Sequence, residues 1–315
     1  MEAKMFCYQC QETAGNKGCT VCGVCGKNAE VAALQDRLVY ETKLLSCATT
    51  EKRKRGETVP KEVNHLVTVN LFTTITNANF DADAIRRAIE KTRQTRIELG
   101  GTRSSASVAV AEETAGAIAE TAEGRDPPAG RIGVLATENE DVRSLRELVT
   151  YGLKGLAAYM KHANALMREN EEVDAFIQRA LAATLDDSLS VNDLISLTLE
   201  TGKFGVDGMA LLDKANTSAY GNPEITKVDI GVRGNPGILI SGHDLRDLEM
   251  LLEQTAGTGE VHVLYYDVAT GDFKTIATLG GLFRPVALLC GPNREVEADP
   301  LRYDDSLELK KVSLK

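Results

Sequence analysis

The chain has no tryptophan, and aromatic residues make up only 5% of it, so any core must be filled by aliphatic and small side chains. No apolar run reaches the roughly 20 residues that a membrane-crossing helix requires. Histidine is scarce. There are 4, and His65, His162 and His262 lack a ligand-spaced partner, so they read as surface or satisfied core residues. Positive charge is also short: 36 Lys and Arg stand against 46 Asp and Glu, a formal net charge of −10. That balance argues against a general nucleic-acid binder, because phosphate contacts need a basic face. The one basic cluster, Glu51-Lys-Arg-Lys-Arg55, reads as a solvated helix end. Residues 1–10 have neither the apolar stretch nor the small-residue cleavage site of a signal peptide, so a reducing, cytoplasmic setting is expected. With 43% hydrophobic residues in 315, the chain can bury a sizeable core over two or three domains.

What the chain has is thiols, crowded at one end. Five of its 7 cysteines are Cys7, Cys10, Cys19, Cys22 and Cys25. Reduced thiols this dense point to a metal rather than to disulfides. Two spacings compete. Cys7, Cys10, Cys22 and Cys25 form two C-x2-C knuckles, the second followed by Gly26, which is how a structural zinc ribbon is written. Cys7, Cys10, Cys19 and Cys25 place four thiolates in one glycine-punctuated loop, which suits an iron-sulfur cluster. Spacing alone leaves both open. Cys47 falls on an apolar helix face, where a free cysteine behaves as a small hydrophobe, and Cys290 is read the same way.

The middle of the chain carries an internal duplication. Val31-Ala-Ala-Leu-Gln-Asp-Arg-Leu-Val-Tyr40 recurs as Val142-Arg-Ser-Leu-Arg-Glu-Leu-Val-Thr-Tyr151, and Leu71–Asn77 aligns with Leu181–Asp187 at nearly the same offset. Each later segment precedes a capped helix start, at Asp81 and at Ser190 with Asp193 three residues on. Asp186 and Asp187, just ahead of that start, read as turn or cap residues. Apolar residues at helical spacing, such as Val31, Leu34, Leu38 and Leu45, predict two related helical bundles. Turn-rich stretches at 100–107 and 124–130 flank a small-residue helix between them.

After about Asn222 the pattern alternates. Gly237-Ile-Leu-Ile240 reads as a strand and residues 242–253 as an amphipathic helix. Residues 261–268 and 273–279 read as a hairpin, and 282–290 as a strand that Pro285 pushes to a sheet edge. Gly231-Val-Arg-Gly-Asn-Pro-Gly237 lacks both the Walker lysine and the dinucleotide fingerprint, so nucleotide binding is not expected. The expected fold is mainly α with α/β: two duplicated helical bundles followed by a partial, Rossmann-like α/β domain. Its divisions are a cysteine-rich segment at 1–29, bundles at 30–136 and 137–222, and the α/β part at 223–315.

The neighbours of the cysteines add a resemblance. Met5-Phe-Cys-Tyr-Gln-Cys-Gln-Glu-Thr-Ala14 and Gly18-Cys-Thr-Val-Cys-Gly-Val-Cys-Gly-Lys27 resemble the amino-terminal segment of the hybrid cluster proteins, also called prismane proteins or hydroxylamine reductases. The likeness continues through Tyr151–Tyr159, Tyr220–Lys227 and Asn235–Leu245, covering about residues 5–259. It implies that Cys7, Cys10, Cys19 and Cys25 carry a [4Fe-4S] cluster, or a [2Fe-2S] variant, and that Cys22 departs from the family pattern. It also implies a second, hybrid iron-sulfur-oxygen cluster held by one histidine, two glutamates and four cysteines. His243 matches that histidine, but the other ligands have no match in the chain, and the tail at 260–315 is unlike the family.

Two functions of different class follow from the resemblance. One is a redox enzyme reducing hydroxylamine to ammonia, or nitric oxide, supplied with electrons by a reductase partner. The other is a non-catalytic iron-sulfur electron-transfer module. A zinc-ribbon structural protein is the third reading, from spacing alone. With most hybrid-cluster ligands missing, the isolated chain is expected to be nearly inactive.

Overall fold

The computed structural model describes residues 5–75, 78–100, 132–223, 237–240, 245–256, 262–267, 272–274 and 289–290. The chain is mainly helical and divides into two compact units, Met1–Ala215 and Asn216–Lys315, a coarser division than the expected four parts.

In the first unit, α1 spans Ala29–Lys54, α2 Lys61–Thr73 and α3 Ala82–Glu98. Then α4 spans Glu140–Ala165, α5 Glu171–Ala183 and α6 Val191–Tyr220, the last running past the division at Ala215. The first two helices of each triplet have the same lengths, 26 and 13 residues. Their starts are set by caps. Asn28, Asn139 and Asn170 accept from backbone N–H groups of α1, α4 and α5, and Asp81 does so for α3. Ser190 and Asp193 form the expected reciprocal box: the Ser190 N–H donates to Asp193 Oδ2 at 2.9 Å, and the Asp193 N–H to Ser190 Oγ at 3.3 Å.

Burial repeats with the same period. From Lys61 to Ile75 and from Glu171 to Leu185, each residue has the same burial class as its partner 110 positions on. Thus Val63, Val67 and Leu71 lie in the core, as do Val173, Ile177 and Leu181. The packing is interleaved: α2 packs on α4, while α5 packs on α1. The main apolar cluster therefore draws on both triplets, with Leu45, Leu66 and Leu71 meeting Leu153, Met160 and Ile177. A smaller cluster of Val31, Leu38, Ile85 and Ile89 joins α1 to α3.

The basic run at the end of α1 is only partly solvated. Lys52 and Arg55 pair with Glu57, and Lys54 with Glu51, as a surface helix end would. Arg53 instead turns inward, donating to Gln178 Oε1 at 2.6 Å and Asn64 Oδ1 at 2.9 Å. Charge density alone gives no hint of that, because the partner Gln178 lies 125 residues away.

The second unit contains β1 (Gly237–Ile240), α7 (Leu245–Thr255), β2 (His262–Asp267), β3 (Asp272–Lys274) and β4 (Leu289–Cys290). The strand order is β3-β2-β1-β4. β1 and β2 run parallel, with Ile238 opposite Val263, and α7 lies between them in the chain. β2 and β3 form the expected antiparallel pair, and β4 occupies an edge, antiparallel to β1. The stretches expected at 101–130, 228–232 and 293–315 lie outside the described residues.

Candidate metal centre

The cysteine segment is tied into a loop by its first and third thiol-bearing residues. Cys7 and Cys19 form an isolated antiparallel bridge, each N–H donating to the other's carbonyl at 3.0 and 2.9 Å. One 3-10 turn at Ala14–Asn16 lets the chain reverse. Gly18 makes the return possible: its φ is +112°, and a Cβ there would sit 2.6 Å from the Phe6 ring.

Cys19 is buried and surrounded by hydrogen-bonding groups. The N–H groups of Ala14 and Val24 and the Thr13 hydroxyl hydrogen-bond its sulfur and hold its pKa below the usual thiol value. Burial pushes the Cys7 thiol up, and the Lys27 ammonium, 4.0 Å from its Sγ, works against that rise. Cys10 and Cys25 are half-buried and Cys22 is exposed. Among the described residues, no three His, Cys, Asp or Glu side chains converge as a metal would gather them. The loop pairs Cys7 with Cys19 through their backbones. The donor chemistry itself, five thiols in one loop with the pKa of one lowered by N–H donors, fits a thiolate-bound metal.

The other candidates fall elsewhere. Cys47 is on α1, and burial pushes its thiol up to about 12, which makes it inert. His65 faces Glu169 at 3.3 Å, and His162 packs edge-on to Phe72 with ring centroids 5.8 Å apart, so neither joins the loop. Asp186 caps a turn at Ser188, whereas Asp187 takes an ion pair from Arg146 at 2.7 Å. His243 lies outside the described residues, as do the side chains of His262 and Cys290.

Beside the loop is a cavity of about 200 Å³ that sequence reading did not foresee. Its walls include Cys7 and Gln9 from the loop, Asp36 and Lys43 from α1, and Glu147 and Lys154 from α4. Gly133, at φ +92°, closes on it so tightly that a Cβ would lie 3.0 Å from Asp36 Oδ2. Burial pushes the Asp36 carboxyl up and the Lys154 and Lys43 ammoniums down, each partly offset by the opposite charges across the cavity. The Tyr151 hydroxyl, raised mainly by burial, donates to the Tyr8 carbonyl and so ties α4 to the cysteine loop. The duplication held the clue: an offset of 111 carries Asp36 to Glu147, Tyr40 to Tyr151 and Lys43 to Lys154.

A thiol-rich loop ahead of two helix triplets defines the class: a mainly helical protein with clustered amino-terminal thiols. The chain belongs to the Prismane/CO dehydrogenase family, which it matches over residues 5–264. It is 59% identical over 265 residues to the hydroxylamine reductase of Desulfovibrio desulfuricans, covering 82% of this chain and 47% of that protein. To the hydroxylamine reductase of Clostridium perfringens it is 60% identical over 259 residues, covering 81% of this chain and 47% of the relative. The hydroxylamine reductase of Acetivibrio thermocellus is 56% identical over 259 residues, at 81% and 46% coverage. The chain spans about half the length of these curated relatives. Among the described residues no helix is long and apolar enough to cross a membrane.

Proposed function

We propose that this chain is the cluster-bearing part of an iron-sulfur oxidoreductase of the hydroxylamine reductase type. The observation that carries this reading is the 59% identity to a named hydroxylamine reductase, within a family match that begins at residue 5 and so takes in the whole cysteine loop. Cys7, Cys10, Cys19 and Cys25 are the ligands of a [4Fe-4S] cluster, which when bound supplies one-electron transfer. Cys22 stands outside the set; its exposure, against the burial and N–H donors of Cys19, supports that choice over the zinc-ribbon spacing. The protein's own groups do the rest. The N–H groups of Ala14 and Val24 lower the Cys19 pKa and so favour its thiolate form, and the bond from Tyr151 to Tyr8 keeps the loop against α4.

The two helix triplets are copies of one ancestral unit, and the second unit is the start of a Rossmann-like α/β domain; equal helix lengths and the parallel pair β1 and β2 support these assignments. By resemblance His243 is the histidine of a hybrid cluster, but the other ligands of that cluster have no match in this chain, so the chain by itself does not complete it. A reductase supplies the electrons, a small nitrogen-oxide molecule is the substrate, and the setting is cytoplasmic. Coverage of only 47% of the relatives favours a second reading, in which the chain alone is an electron-transfer module.

Anaerobic purification followed by iron and sulfide counting, paramagnetic resonance and a hydroxylamine assay tests both. Four irons with matching sulfide and negligible turnover are expected of the chain alone, in the order of one [4Fe-4S] cluster. Zinc without sulfide refutes the iron-sulfur assignment. Rapid turnover that His243→Ala abolishes refutes the inactivity of the isolated chain.

A further inference from the structure

Lys27 is a buried cation that the cysteine pattern does not explain. It is 2% exposed. Its ammonium donates to Gln35 Oε1 at 2.5 Å and to Gln9 Oε1 at 3.4 Å, and stands 4.0 Å from Cys7 Sγ. Both amides are locked with their oxygens toward it, because Gln35 Nε2 donates to the Asn79 carbonyl and Gln9 Nε2 to the Thr74 carbonyl. The Lys27 carbonyl accepts from the Gly23 N–H at 2.7 Å, which fastens the same residue to the turn that carries Cys25.

The hydrogen bonds of this ammonium are met, but its charge is not. Both oxygen partners are neutral, and among the described residues no carboxylate lies within ion-pair distance of it. Asp36 acts on it only from farther off. A buried lysine without a close counter-charge is costly, and an anion beside it offsets that cost. The nearest atom able to carry that charge is Cys7 Sγ, and a group held by four thiolates brings net negative charge into the loop.

We propose that Lys27 is the counter-cation of the centre in the cysteine loop, a positioning residue beside Cys7 Sγ that raises the reduction potential of the bound group. The inference rests on the iron-sulfur reading above. Reduction adds negative charge 4 Å or so from a fixed positive one in a poorly screened site, so the ammonium favours the reduced state.

The test uses the full chain, loaded anaerobically, with Lys27→Gln, Lys27→Arg and Gln35→Glu beside the wild type. Iron and sulfide are counted first, then midpoint potentials are measured by resonance-monitored titration, and iron loss to a chelator is followed. Lys27→Gln keeps polar reach but removes the charge. It should shift the one-electron equilibrium about tenfold toward the oxidised state, a midpoint about 59 mV lower, and lose iron faster. Lys27→Arg should stay near the wild type. Gln35→Glu gives the ammonium a rival anion and should lower the midpoint in the same direction, which keeps the test decisive if Lys27→Gln fails to load. Unchanged midpoints in Lys27→Gln or Gln35→Glu overturn the inference while leaving the iron-sulfur reading standing. A midpoint in Lys27→Arg as low as in Lys27→Gln overturns it too, since that outcome marks packing rather than charge. Zinc without sulfide in the wild type overturns both readings at once.

Discussion

The cysteine loop and the helix triplets are held together by different means. The loop, residues 5–28, has one bridge, one 3-10 turn and four residues at positive φ, namely Gly15, Asn16, Gly18 and Gly26. Its buried apolar contribution is a patch of Met5 and Cys19 against Ala32, while Val21 and Val24 are 83% and 63% exposed. The triplets share a continuous apolar core in which Leu71, Leu153, Ile177 and Leu181 have almost no exposure. Helices stabilised by burial stand on their own. A loop with so little to bury depends on its hydrogen bonds and on whatever its thiols bind.

The comparison breaks if losing the bound group also melts the helices. Cys19→Ser should abolish the visible iron-sulfur absorption while the far-ultraviolet helical signal persists, and Cys22→Ser should keep both. Loss of the helical signal in Cys19→Ser would mean that the triplets need the loop. Zinc binding that survives Cys19→Ser but not Cys22→Ser would restore the ribbon spacing.

Core truncations probe the other side. Leu71→Ala and Leu181→Ala occupy equivalent buried positions in α2 and α5. Each should cost about 2–5 kcal/mol in urea unfolding and leave the metal content of the folded protein unchanged. A large difference between the two costs would show that equal burial does not mean equal roles in the shared core.

A smaller effect separates the triplets chemically. Asn64 in α2 bonds Arg53 and Gln178, whereas its counterpart in α5 is Asp174, 4% exposed, with Oδ1 lacking a hydrogen-bond partner. Burial pushes this carboxyl up to about 7, with Arg53 pulling the other way. Because the folded-state value is raised, its unfavourable effect is absent below about pH 4, the unfolded value, and grows as pH rises toward 7. Asp174→Asn should therefore stabilise the protein by about 2 kcal/mol at pH 8 and hardly at all at pH 4. A pH-independent difference would show that folding leaves the Asp174 carboxyl at its unfolded pKa. The smallest expected change is Asp81→Ala, which removes the cap of α3 and should cost about 1 kcal/mol, with no effect on the metal.

Much of this was legible because it is local. Apolar spacing and the caps at Asp81 and Ser190 predicted helices that the structure contains, and the repeated Val, Leu and Tyr positions anticipated the equal lengths of α1 and α4. The thiol pattern with its neighbours pointed to the family. What was missed involves partners far apart in the chain. Arg53 looked like a solvated residue of a basic run, yet Gln178 draws it inward. Asp36, Lys43, Glu147 and Lys154 drew no notice in the sequence, because only the packing of two helices 111 residues apart brings them to one cavity.

By itself the sequence determined which segments are helical, where they start, and that one loop concentrates the thiols, because hydrogen-bonding caps and apolar periodicity act over a few residues. Only the tertiary structure decided that the two triplets interleave, that Cys19 lies buried among N–H donors while Cys22 faces solvent, and that Lys27 is a buried charge. Those outcomes depend on which distant side chains share a desolvated space, and desolvation is a property of the packed molecule rather than of any stretch of chain.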